Sequence, residues 1–131
     1  MRIYLDTCIV IYLVESNEEL GTRYLRRLTD PDATVCVSGL VRMECLVGPL
    51  RSGNAELKLR YDEFFELVET LPIAVDAFES AAEIRAAEHL TLPDALHLAV
   101  AESHACDEFW TTDRHFKKFQ GRKSIQVCLI E

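Results

Sequence analysis

The stretch "MRIYLDTCIVIYLV", residues 1–14, places one carboxylate inside an otherwise apolar run. "RIYL" is short and rich in β-branched and aromatic side chains, which favours a buried strand. Asp6 follows it directly. The local explanation for Asp6 is a helix N-cap, its oxygen accepting a backbone N–H of a helix that begins near Thr7. The other explanation is chemical, and it depends on what the rest of the chain brings to the same end of that strand.

Working outward, four more runs read as buried strands: "TVCVS" (34–38), "PIAV" (72–75), "EFWTT" (108–112) and "SIQVCL" (124–129). Helix-period segments lie between them. "EELGTRYLRRL" (18–28) sets Leu20, Tyr24, Leu25 and Leu28 on one face and leaves Arg23, Arg26 and Arg27 more exposed. "GLVRMECLV" (39–47) reads as a helix stopped by Gly48–Pro49. "NAELKLRYDEFFELVETL" (54–71) groups Leu57, Tyr61, Phe64, Phe65 and Val68. "AFESAAEIRAAEHL" (77–90) and "PDALHLAVAESHA" (93–105) follow, the second apolar almost all round and so a buried helix. Strands alternating with helices predict an α/β fold with a mostly parallel sheet covered on both faces. Ligands of such sheets bind beyond the carboxyl ends of the strands.

The 131 residues predict one domain, residues 1–131, large enough to bury a core. The net charge of −8 repels nucleic acid, so a nucleic-acid role needs a local basic patch or a bound cation. The five cysteines (Cys8, Cys36, Cys45, Cys106 and Cys128) include no C-x-x-C and sit mostly in apolar runs. They read as reduced core residues of a cytoplasmic protein. The first stretch lacks the flanks and cleavage site of a signal peptide. Its longest apolar run, Cys8 to Val14, is too short to span a membrane.

Three further acids raise the same question, two of them at element junctions like Asp6. Asp113 follows the fourth strand in "FWTTDRHF" and has the same N-cap reading. Asp94 opens a helix in "TLPDALHLAVA", where Pro93 suits the first turn and Thr91 and Asp94 loosely imitate a capping box. Glu44 sits on an apolar stripe between Leu40 and Val47, or else is partly exposed and paired with Arg42 or Arg51. A parallel topology brings all four to one edge. Carboxylates so gathered repel, and a hard divalent cation such as Mg²⁺ or Mn²⁺ relieves that repulsion. Such an ion activates water and stabilises charge on a phosphoryl oxygen, which points to metal-assisted phosphodiester hydrolysis.

With "YLDTCIVIYL", "VSGLVRMECLVG", "LPDALHLAVA" and "FWTTDRHFKKF" in this order, the chain resembles PIN-domain ribonucleases, more narrowly VapC-type toxins of toxin–antitoxin pairs. The resemblance implies a PIN-like three-layer α/β/α fold around a five-stranded sheet. It implies Asp6 and Asp94 as principal metal ligands, completed by Glu44 and Asp113. It makes Thr7, Thr111 and Thr112 hydroxyls that orient carboxylates or the attacking water. Thr112 stands where many members carry Asn, and a fifth acid that some members carry near the last helix has no clear counterpart. The resemblance also implies an RNA substrate, a homodimer and a small antitoxin that blocks the site.

His97, one turn after Asp94, is either a hydrogen-bonded core residue or a neighbour of the site. His89 and His115 read as surface residues. Arg114, Lys117, Lys118, Arg122 and Lys123 form a basic tail beside Asp113, either an RNA-phosphate patch or a solvated face. Arg23, Arg26 and Arg27 form a second such patch. Two competing functions remain on the sequence alone. One is a PIN-like binding module without activity. The other is an aspartate-dependent phosphatase of the haloacid-dehalogenase type, which normally needs a second Asp where Cys8 stands.

Overall fold

The computed structural model describes residues 1–16 and 20–130. Arg2–Leu5 forms β1, and Asp6 caps the helix that follows, α1 (Thr7–Glu15). Then come α2 (Leu20–Leu28), β2 (Thr34–Ser38), α3 (Gly39–Ser52), α4 (Ala55–Leu67), β3 (Glu69–Leu71), α5 (Val75–Ala87), α6 (Leu92–Ser103), β4 (Glu108–Thr111) and β5 (Gln126–Leu129). A 3-10 helix, Arg114–Phe119, joins β4 to β5. The sheet order is β3-β2-β1-β4-β5, and every pairing is parallel. The expected start of α2 at Glu18 and Glu19 lies outside the described residues, as do the side chains of Leu20 and Arg23.

Successive strand residues point to opposite faces, and the packing shows where each face goes. Tyr4 stacks on Phe109 and hydrogen-bonds His97 of α6, while Phe109 also packs against Phe116 of the 3-10 helix. Leu5 faces the other way, into an apolar cleft shared with Leu28 of α2 and Phe64 of α4. Trp110, its register partner, meets Tyr24 of α2 edge-on. The sheet is thus covered on both faces, in the three-layer α/β/α arrangement expected. Helix α6 is buried from Ala95 through Ala101, as its near-uniform apolarity predicts. All five cysteines are free, and burial pushes the Cys45 thiol up to about 12, out of the reactive range.

Two expectations are corrected. Gly48–Pro49 does not stop α3, which runs on to Ser52 and ends at Gly53 in the left-handed conformation (φ 69°). Pro49 is buried one turn beyond Cys45 and two beyond Val41. Burial of that stripe outweighs the hydrogen bond that an internal proline forfeits. The third strand is Glu69–Leu71 rather than "PIAV" (72–75). Pro72 has no N–H to extend the ladder, so pairing with β2 stops at Leu71, opposite Ser38. Val75 already opens α5.

Arg27 is also less free than its pattern predicts, because its guanidinium clamps the buried Glu108 (2.6 and 2.7 Å). Among the described residues, no helix is long and apolar enough to cross a membrane.

Candidate active site

Strand order reverses on either side of β1, so the crevice between the carboxyl ends of β1 and β4 is the place where an open parallel sheet accepts ligands. Asp6 leaves β1 there and Asp113 leaves β4. Each is also the N-cap that its local sequence predicts. Asp6 Oδ1 accepts the Thr7 N–H (2.8 Å), and Asp113 Oδ1 accepts the His115 N–H (2.9 Å). Asp94 occupies the first turn of α6, its own N–H directed to Thr91 Oγ1 (3.4 Å). Cap and site coincide for a physical reason. β1 feeds α1, β4 feeds the 3-10 helix and Asp94 opens α6, and the partial positive charge of these N-termini tempers the crowding of acids.

Threonine hydroxyls tie the acids together. Thr111, fully buried, donates to Asp6 Oδ2 (2.7 Å) and accepts the Asp113 N–H (3.0 Å). Thr7 donates to Glu44 Oε1 (2.8 Å), reaching from α1 to α3. Thr112 differs from the other two: it is exposed, and its backbone N–H meets Cys8 Sγ (3.4 Å). Glu44 pairs with neither Arg42 nor Arg51. Its partner is His97, whose Nε2 lies 2.6 Å from Glu44 Oε1 and 3.7 Å from Asp6 Oδ1.

The electrostatics separate Glu44 from Asp94. His97's hydrogen bond holds the Glu44 carboxylate below the usual range, against its burial and with help from Thr7. Asp94 goes the other way. Burial pushes it up, and the nearby charges of Asp6 and Asp113 push it further. Asp94, Asp113 and His115 each offer a ligand atom, all within 4.8 Å of one another. With Asp6 adjoining through Thr111, this is a donor set of mostly hard oxygens that suits a divalent cation.

Three residues of this neighbourhood were not legible as site residues: His115, Tyr4 and Ser38. His115 reads as surface, and it is exposed, yet its Nδ1 lies 3.0 Å from Asp113 Oδ1. The D-x-H spacing was its only signal. Tyr4 and Ser38 read as core, and they are buried, but in polar contact with each other and, through Tyr4, with His97; His97, read as either core or a neighbour of the site, is both, buried and bonded to Glu44.

The basic tail is divided. Arg122 forms a two-pronged pair with Glu102 (2.6 and 2.9 Å), and Lys118 pairs with Glu88 (3.5 Å). Arg114, Lys117 and Lys123 are exposed and form no ion pair among the described residues.

The PIN-domain family model matches residues 3–122. No curated protein matches the chain by sequence. Among solved structures, a chain of VapBC2 from Rickettsia felis, bound to a DNA fragment from its promoter, superposes with a TM-score of 0.83 at 18% identity, covering 100% of both chains. A toxin–antitoxin complex from Klebsiella pneumoniae gives 0.76 at 25% identity, over 98% of each chain. VapC20 of Mycobacterium tuberculosis, described as a sarcin–ricin loop cleaving toxin, gives 0.68 at 18% identity, over 89% of this chain and 94% of that one. These matches set aside the haloacid-dehalogenase reading. With the topology, the acids at the strand ends and a family match over nearly its whole length, the chain belongs to the PIN-domain family.

Proposed function

We propose that the protein is a metal-dependent endoribonuclease that acts as the toxin of a toxin–antitoxin pair. What supports this reading is that Asp6 and Asp113 leave β1 and β4 at the switch point of the sheet, that Asp94, Asp113 and His115 each offer a ligand atom within 4.8 Å of the others, and that Asp94 is raised by burial and by the charges of Asp6 and Asp113. Asp6 and Asp94 would hold Mg²⁺ or Mn²⁺, with Glu44 and Asp113 completing the site. A bound ion of this kind supplies an activated water and stabilises charge on the phosphoryl oxygens. Thr111 fixes the rotamer of Asp6, and Thr7 that of Glu44, so the donor atoms are held in place before the ion arrives. A binding module without activity would have no use for acids whose charges oppose one another, as those of Asp6 and Asp113 oppose that of Asp94.

The relatives support the biology. Several were solved as toxin–antitoxin complexes, and one is described as cleaving the sarcin–ricin loop. On this chain an apolar cleft of about 520 Å³, lined by Leu13, Leu25, Leu28, Phe64, Leu67 and Val68, offers a small antitoxin a place to dock. A homodimer in the cytoplasm is part of the same proposal. The test is cleavage of a mixed RNA pool by the purified protein with Mg²⁺ or Mn²⁺, with EDTA, and with the Asp6→Asn variant. Cutting that EDTA fails to stop would overturn the metal-dependent reading.

Two further outcomes are expected. Arg114, Lys117 and Lys123 are the tail cations free to meet phosphates. Arg114→Ala with Lys117→Ala should raise KM for RNA at unchanged kcat. It should also flatten the salt dependence of binding by about 0.7 for each phosphate that is no longer neutralised. Arg122→Ala should leave that slope unchanged, because its charge is spent on Glu102. A salt titration of binding separates the two.

The second outcome concerns Asp94. A carboxyl raised in the folded state stabilises the fold below its unfolded pKa and loses that contribution as pH rises through the folded value. Asp94→Asn should therefore melt like the parent below roughly pH 4, the unfolded range of aspartate. It should melt higher than the parent at neutral pH without added metal. Equal melting temperatures at both pH values would count against a raised carboxyl at this position, whether burial or the neighbouring charges raise it.

A further inference from the structure

Beneath the acids runs a chain of buried polar groups that the sheet itself does not require. Ser38 Oγ lies 2.8 Å from Tyr4 Oη, and Tyr4 Oη lies 2.8 Å from His97 Nδ1. His97 Nε2 then meets Glu44 Oε1 at 2.6 Å, and the same oxygen accepts from Thr7. Ser38, Tyr4 and His97 are at most 1% exposed. They come from the end of β2, from β1 and from α6, and they converge on α3. Ser38 is also the N-cap residue of α3, yet its side chain makes no cap bond. The hydroxyl that an N-cap serine ordinarily gives to its own helix is turned to Tyr4 instead.

Each atom in this chain has one consistent role. A carboxylate only accepts, so Nε2 is the donor to Glu44. The other nitrogen, Nδ1, is held by the Tyr4 hydroxyl. Burial pushes that phenol up, and it keeps its proton. The Tyr4 ring is itself fixed by a near-parallel stack on Phe109, 5.5 Å between centroids. Both hydrogen bonds to Glu44 fall on Oε1, which leaves Oε2 without one among the described residues. Glu44 is the partly exposed end of the chain, at 30% of its side-chain surface.

We propose that Tyr4 and His97 are positioning residues, a relay that pins Glu44 by Oε1 and so presents Oε2 to the divalent cation of the active site. The inference rests on the nuclease reading and deepens it. Neither residue touches the ion or the RNA. Partners that orient metal-binding side chains typically change metal affinity or activity ten- to a hundredfold when removed, and this relay is built like one of them.

The test uses the full chain with Mn²⁺ as the probe. Binding is read from the EPR signal of free Mn²⁺, activity from cleavage of the RNA pool, and folding from melting curves. Tyr4→Phe should fold, bind Mn²⁺ about tenfold more weakly, and lose kcat by a similar factor with KM for RNA unchanged. His97→Gln keeps an amide donor for Glu44 and should retain more Mn²⁺ affinity than His97→Leu, which keeps none. Should Tyr4→Phe fail to fold, Ser38→Ala and the two His97 variants carry the same comparison.

A network that serves packing alone would lower the melting temperature and leave Mn²⁺ affinity and kcat at the parent values, which would overturn the relay. A parent protein that binds Mn²⁺ and cuts RNA while every relay variant matches it also overturns the relay, and leaves the nuclease standing. A parent that neither binds Mn²⁺ nor cuts overturns both.

Discussion

Asp6→Asn is expected to leave a folded protein that no longer cuts RNA, with the rate down by more than about a hundredfold, beyond the loss usual for a metal ligand's supporting partner. Asp6 is 5% exposed, and both of its oxygens are in use. Oδ1 takes the Thr7 N–H and Oδ2 takes the Thr111 hydroxyl. The amide can reproduce both contacts. Its oxygen accepts from Thr7, and its NH₂ donates to a Thr111 hydroxyl whose hydrogen has turned away. The change therefore removes a charge and little else. In the absence of metal that charge is a liability beside Asp94 and Asp113, so the variant should melt at or above the parent temperature. Added Mn²⁺ should raise the melting temperature of the parent and leave that of the variant unmoved. A variant that still cuts at the parent rate would remove Asp6 from the site.

Arg27→Ala is expected to cause the largest loss of stability, about 2–3 kcal/mol, or a fall of roughly 10 °C in melting temperature. Glu108 is buried to 6% of its side-chain surface, and Arg27 closes on both of its oxygens. Without Arg27 the carboxylate keeps, among the described residues, the indole N–H of Trp110 at 2.8 Å. Arg27 is 45% exposed, so water can partly replace it, and the expected loss lies below the range for a fully enclosed pair. The guanidinium also lies 5.1 Å over the Trp110 ring, so some of the loss is packing. Adding Glu108→Gln separates the two contributions. If the uncompensated charge dominates, the double variant regains most of the stability in a denaturant titration. If the double is as unstable as the single, packing on Trp110 dominates. Activity per folded molecule should hold in either case, because Glu108 opens β4 and the acids gather beyond its other end.

Most elements, and the cap or first-turn positions of Asp6, Asp94 and Asp113, were legible in the sequence. "RIYL", "TVCVS", "EFWTT" and "SIQVCL" each contain an observed strand, and each acid that follows a strand or opens a helix is an N-cap or first-turn residue in fact. The two misread junctions share a cause. At Gly48–Pro49 and at "ETLPIAV", local breaker and β-forming signals compete with burial and with pairing to a distant strand. Tertiary structure won both times: burial of the stripe Val41–Cys45–Pro49 in one case, and the β2 ladder ending opposite Leu71 in the other.

The same division holds within the site. The sequence by itself determined which side chains stand at the junctions of strands and helices, because a cap, a first turn and a strand end are set by residues within a few positions of one another. It could not name the partner of Glu44, which local reasoning sought in Arg42 or Arg51 and which is His97, 53 positions away. Nor could it show that Thr111 bridges Asp6 and Asp113, that Ser38 leaves its own helix for Tyr4, or that Arg27 belongs to Glu108. Those pairings depend on which strands lie side by side. Only the order β3-β2-β1-β4-β5 brings residues far apart in the chain within hydrogen-bonding distance, where burial then obliges each polar group to take the partner it meets.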